Sequence, residues 1–120
     1  MSKTILIVDD SASIRQVVSI TLKGAGFEVI EASNGKEGIA KLDGTKIHLI
    51  ISDVNMPIMG GIDMVKEIKQ LPKYKFTPVI MLTTEASEEM KQQGKAIGAK
   101  AWMVKPFKPE QMLQAVNMLT

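Results

Sequence analysis

The sequence predicts an α/β fold: a doubly wound, five-stranded parallel sheet flanked by five helices. Three observations carry this. Five short apolar runs recur along 120 residues. Segments with helical spacing and helix punctuation separate them. No linker or low-complexity stretch interrupts the alternation. Strands alternating with helices imply a parallel sheet covered on both faces, and right-handed crossovers leave few topologies, of which 2-1-3-4-5 is a common one.

The apolar runs are Thr4–Val8, Phe27–Glu31, Leu49–Ser52, Pro78–Thr83 and Ala101–Val104. Their length, Ile/Val content and bounding turn formers read as buried strands. After the first, Ile14, Val17, Val18 and Leu22 form one helical stripe ended by Gly24 and Gly26. Asn34 caps a short helix holding Ile39 and Leu42, closed by Gly44. Met64, Val65, Ile68 and Leu71 form a third stripe stopped by Pro72. Ser87 to Ile97 is the least amphipathic helix, anchored by Met90 and Ile97. Pro109 suits the first position of a last helix carrying Met112, Leu113, Val116 and Leu119. The expected organisation is one domain over residues 1–120 with no output domain.

Composition narrows the function. Apolar residues make up 45%, charged residues 23%, and net charge is +2, so the overall balance argues neither for nor against a nucleic-acid partner, and no interleaved aromatics or recognition helix support one. The chain has no cysteine, which excludes disulfide and thiol chemistry and favours a cytoplasmic setting. No stretch is long enough for a signal peptide or a membrane span. The nine methionines are expected mainly in the core, with Met56 flanking the site. His48, the sole histidine, precedes the third strand and reads as a surface residue.

The polar residues at the strand ends carry the chemistry. In this architecture ligands bind beyond the carboxyl ends of the strands. Strand one runs into Asp9 and Asp10, strand three into Asp53, strand four ends at Thr83, and strand five meets Lys105. Taken singly, these are helix caps, turn residues and a solvated lysine. Together, four of five strand ends deliver polar groups to one crevice. Carboxylates about 5 Å apart repel by roughly 3 kcal/mol at an effective dielectric near 20. The cluster therefore calls for Lys105 and a hard divalent cation, Mg2+. An aspartate beside a cation, a lysine and a hydroxyl suits phosphoryl transfer onto carboxylate. There is no nucleotide-binding glycine loop, so the phosphoryl group must come from another protein or a small acyl donor.

At these residues the sequence resembles the receiver domain of two-component response regulators, specifically the stand-alone chemotaxis (CheY-like) type. The motifs are "VDD" at 8–10, "DVNMPIMGG" at 53–61, "LTTE" at 82–85 and "KPF" at 105–107. The resemblance implies the flavodoxin-like (βα)5 fold, and the 2-1-3-4-5 order is a known property of CheY rather than a derivation from the pattern. It implies that Asp53 is the phosphoacceptor and that Thr83 and Lys105 bind the phosphoryl group. It further implies that Asp10, Asp53 and the Asn55 carbonyl bind Mg2+ directly, with Asp9 acting through water, and that the Lys105–Pro106 peptide is cis. Asn55 and Glu85 fall where the family tunes phosphoryl lifetime, here toward fast loss. Trp102 falls at the switch aromatic, where Tyr or Phe is usual, and is expected to be partly exposed.

The implied partners are a sensor histidine kinase as donor, a flagellar motor switch protein as output and a phosphatase, with the protein a monomer. No acidic residue occurs from Met90 to Pro109, while Lys91, Lys95 and Lys100 do. With Trp102 they are expected to form a basic output face. The rival class is an aspartyl-phosphate phosphatase of the haloacid-dehalogenase type, but that family needs a DxD motif where this chain has adjacent acids. A phosphate-sink or relay receiver is a further alternative. A flavin-binding module needs a hydroxyl-rich loop where the two acids stand.

Overall fold

The computed structural model describes residues 3–84 and 88–120, without the side chains of Glu88 and Met90. Glu85 and Ser87 therefore lie outside the described residues. The elements are β1 (Thr4–Val8), α1 (Ala12–Gly24), β2 (Glu28–Ala32), α2 (Gly35–Ala40), β3 (Leu49–Asp53), α3 (Gly61–Ile68), β4 (Val79–Thr83), α4 (Glu88–Ala96), β5 (Ala101–Val104) and α5 (Pro109–Leu119). All pairings are parallel and the sheet order is β2-β1-β3-β4-β5. This is the predicted flavodoxin-like architecture.

The strand alternation divides one sheet between two cores. Ile5 and Ile7 of β1 join Leu49, Ile51, Ile80 and Leu82, and against them lie Val18 and Leu22 of α1 and Met112 and Val116 of α5. Leu6 and Val8 point the other way, joining Ile50, Val79 and Met81 under Met64, Val65 and Ile68 of α3. Both faces are covered, which explains why Ile5–Val8, Leu49–Ile51 and Val79–Leu82 are continuous apolar runs rather than alternating ones.

Several boundaries differ from expectation. Phe27 is not a strand residue: its N–H donates to Leu22 O, so it belongs to the wrap after α1, and β2 extends instead to Ala32, opposite Val8. β3 runs on to Asp53, which pairs with Leu82. β4 begins at Val79, because Pro78 has no N–H to give. Val17, placed in the α1 stripe by spacing, is 47% exposed; Val18, Ser19 and Leu22 make the buried side. α3 ends at Ile68, short of Leu71 and Pro72, since the residue before proline is pushed out of the helical region. Asn34 caps α2 by accepting Glu37 N–H at 2.9 Å, and Pro109 opens α5, as expected. Among the described residues, no helix is long and apolar enough to cross a membrane.

Candidate functional site

The crevice lies where β1, β3, β4 and β5 end. Asp9 follows β1 and is 1% exposed. Its Oδ1 accepts the Ser11 N–H at 2.9 Å, and its carbonyl accepts from Arg15, which also reaches Glu31 at 3.4 Å. Asp10, the next residue, is exposed. The adjacent acids thus divide by environment, one buried and hydrogen-bonded, the other open to solvent. Asp53, the last residue of β3, is 8% exposed, and its Oδ1 accepts the Val54 N–H at 2.8 Å. Lys105 enters from the end of β5. Its Nζ donates to Asp9 Oδ2 at 2.8 Å and lies 3.4 Å from Asp53 Oδ2. One carboxylate oxygen from each of Asp9, Asp10 and Asp53 falls within 4.8 Å of the others.

Electrostatics follow from this packing. Burial, and then the neighbouring Asp9 charge, push Asp53 up to about 6, although Lys105 and the Val54 N–H oppose them. Burial works against the Lys105 ammonium, but the Asp9 hydrogen bond and the Asp9 and Asp53 charges together raise its pKa above the ordinary lysine value. One lysine thus faces more than one carboxylate. An all-oxygen donor set with an open third member suits a hard divalent cation such as Mg2+.

Thr83 closes β4, is 1% exposed, and its carbonyl accepts the Lys105 N–H at 2.7 Å. Asn55 is exposed in the loop after β3, and Met56 packs partly on the core. The Lys105–Pro106 peptide is cis. Trp102 is partly buried, borders a cavity of about 410 Å³ with Lys91, Lys95 and Lys100, and keeps its Nε1 buried without a hydrogen-bond partner among the described residues. His48 stands away from the crevice, but it is half-buried rather than purely superficial, its Nδ1 accepting the Thr4 N–H at 3.0 Å.

Three contributors escape sequence reasoning. Arg15 holds the Asp9 backbone, yet in sequence it is one more polar helix residue. A Cβ on Gly61 would stand 2.0 Å from the Asp53 carbonyl oxygen, so α3 can start this close only with glycine there. The paired glycines at 60–61 were the available signal. Ile58 adopts φ 69° while 79% exposed, a left-handed conformation that costs a β-branched residue about 1–3 kcal/mol.

The family model described as "Response regulator receiver domain" matches residues 5–117. The chain belongs to that family. Receiver domains are signalling switches rather than conventional enzymes, which sets aside the dehalogenase and flavin readings. The chain is 36% identical to the chemotaxis protein CheY of Thermotoga maritima, covering 100% of this chain and 99% of that protein. It is 37% identical to the phosphate regulon transcriptional regulatory protein PhoB of Pseudomonas aeruginosa, where the match covers 94% of this receiver domain but only 49%, about half, of PhoB. Among solved structures, chemotaxis protein CheY4 of Vibrio cholerae superposes with a TM-score of 0.96 at 51% identity over the whole of both chains.

Proposed function

We propose that the protein is a phosphorylation-activated response regulator that accepts a phosphoryl group on Asp53 from a sensor histidine kinase and thereby switches partner binding in chemotaxis, at the flagellar motor. The carrying observation is Asp53 itself: a carboxylate at a strand end, bordered by two further carboxylates and 3.4 Å from an ammonium. The similarity to CheY and CheY4 supports the chemotaxis assignment.

The residues supply a route. With a pKa of about 6, Asp53 is mostly ionised at neutral pH, as a nucleophile must be. A carboxylate oxygen attacks phosphorus; the new O–P bond forms as the P–N bond of the donor phosphohistidine breaks, and the imidazole leaves with the electron pair. Lys105, already 3.4 Å from Asp53, exchanges its Asp9 partner for a phosphoryl oxygen. The Thr83 hydroxyl donates to another. Asp9, Asp10, Asp53 and the Asn55 carbonyl would hold Mg2+, which when bound neutralises charge on the transferring group. Asn55 and Glu85 would set how fast water removes the phosphoryl group. The pull on Thr83 and Lys105 would shift a two-state equilibrium that Trp102 reports and that Lys91, Lys95 and Lys100 present to a motor switch protein. A phosphatase would end the signal, all within the cytoplasm.

A second reading, the receiver of a transcriptional regulator, draws on the PhoB similarity. Acetyl phosphate with a divalent cation should give a base-labile adduct that maps to Asp53 and is lost in Asp53→Asn. A label on Ser11 or Thr83 in the wild type overturns the assignment. Tighter binding of an acidic motor-switch peptide by the phosphorylated form separates the motor reading from the transcriptional one.

A further inference from the structure

The amino-terminal edge of the sheet, opposite the acidic crevice, carries a second constructed surface. Between the loop preceding β3 and the segment preceding β4 lies a cavity of about 420 Å³, lined by Lys46, His48, Lys73, Tyr74, Phe76 and Pro78 among others, none of them acidic. Hydrogen bonds fix its walls. The Tyr74 hydroxyl donates to Thr45 O at 2.7 Å and accepts the Gly44 N–H at 3.1 Å, while the Lys73 ammonium donates to Gly44 O. Lys69 donates to Thr77 O at 2.9 Å on the same segment. Because His48 Nδ1 accepts from Thr4, Nε2 is the donor of the neutral ring. Asp43, the acid of the neighbouring loop, is engaged by the Thr45 hydroxyl at 2.7 Å.

Phe76 is the feature that the fold does not explain. It is 84% exposed and belongs to neither core. Lys75 holds its ammonium 5.0 Å from the ring centroid, so one ring face is covered by a cation and the other is open. An aromatic side chain amid donors and positive charge is the composition of a recognition surface rather than of a solvated edge.

We propose that this cavity docks an acidic peptide segment of a partner protein, with an apolar side chain on the open face of Phe76 and carboxylates on Lys46 and its neighbours. A nucleotide fits less well: Lys75 already occupies one face of the aromatic platform, and the chain has no glycine-rich phosphate loop. The five-residue strands β3 and β4 separate this edge from the acidic crevice by about 16 Å, so an occupant leaves the crevice accessible.

The test is a titration of isotope-labelled protein with the blocked pentapeptide Glu-Glu-Phe-Glu-Glu, read by amide chemical shifts. Saturable shifts should be confined to residues 44–48 and 73–78. They should weaken about fivefold or more in Phe76→Ser and in Lys46→Glu, as expected for anchor positions; both side chains are exposed, so the fold survives. The peptide with serine in place of phenylalanine should bind comparably weakly. Absence of saturable shifts, shifts centred on residues 91–102, or stronger displacement of the same amides by AMP or by phosphatidylglycerol vesicles would each overturn the proposal.

Discussion

Lys105 sits closer to Asp9 than to Asp53: its ammonium is 2.8 Å from the first carboxylate and 3.4 Å from the second. Asp9 is almost wholly buried, so the lysine is its chief charge partner among the described residues, and a buried carboxylate that loses its cation is expensive. Lys105→Ala should therefore destabilise the protein by about 2–3 kcal/mol. In denaturant-unfolding double-mutant cycles, the Lys105–Asp9 coupling should exceed the Lys105–Asp53 coupling. Equal couplings would mean that the ammonium is shared evenly in solution.

The raised pKa of Asp53 has a defined sign for stability. In the folded protein it titrates near 6, against an ordinary value of 3.8. Between about pH 4 and pH 6 the native state holds the extra proton, so this group's contribution falls as pH rises through that window and is flat above it. Asp53→Asn, which is neutral throughout, should gain about 1–2 kcal/mol at pH 7.5 in chelator, and that gain should shrink toward zero near pH 4. Melting curves across the range check it; a gain that grows on acidification would contradict the assigned direction.

Divalent cation should stabilise the fold, because it would bind the native cluster and relieve repulsion among Asp9, Asp10 and Asp53. At a hundredfold excess of Mg2+ over its Kd, the gain is about 2.7 kcal/mol. Asp10→Asn is the discriminating variant. Asp10 is exposed, so the change should not lower metal-free stability, and removing one charge of the cluster should raise it slightly, while weakening Mg2+ tenfold or more, as read from the Tm shift. A full Mg2+ response in that variant would remove Asp10 from the ligand set.

Legibility in the sequence tracked the range of the interaction. The strands were visible because Ile5–Val8, Leu49–Ile51 and Val79–Leu82 are buried on both faces and so apolar throughout. Because ligands in this architecture bind beyond the carboxyl ends of the strands, the sequence alone places Asp9, Asp10, Asp53 and Lys105 in one crevice, where the structure has them. The 2-1-3-4-5 order and the individual roles came from the family resemblance. Steric complementarity was not legible: nothing in the sequence says that Gly61 abuts Asp53 or that Arg15 reaches back to Asp9. Val17 misled because three- and four-residue spacing marks a stripe without saying which edge of it the sheet covers.

Gly94 and Trp102 form such a complementary pair, and they give the sharpest test of the proposed output face. A Cβ on Gly94 would lie 2.2 Å from Trp102 Cζ3 and 2.6 Å from Cε3, so the six-membered ring of the indole occupies the place of a side chain on α4. Glycine inside a helix costs about 1 kcal/mol relative to alanine, a cost here tied to the size of the aromatic. Gly94→Ala should consequently destabilise the wild type by about 1–2 kcal/mol, because the ring must move; in a Trp102→Leu background, where that ring is gone, it should stabilise by about 0.5–1 kcal/mol. The change of sign is the signature, and the same sign in both backgrounds would sink the pairing. Displacement should also be visible directly. Trp102 is the only tryptophan, and its buried Nε1 has no hydrogen-bond partner among the described residues, so in Gly94→Ala its emission should shift to the red and become more open to acrylamide quenching. If activation moves this ring, beryllofluoride with Mg2+ should shift wild-type emission, and Asp53→Ala should abolish the shift. Gly94→Ala should blunt it, since a ring forced from its seat on α4 no longer starts from the wild-type position.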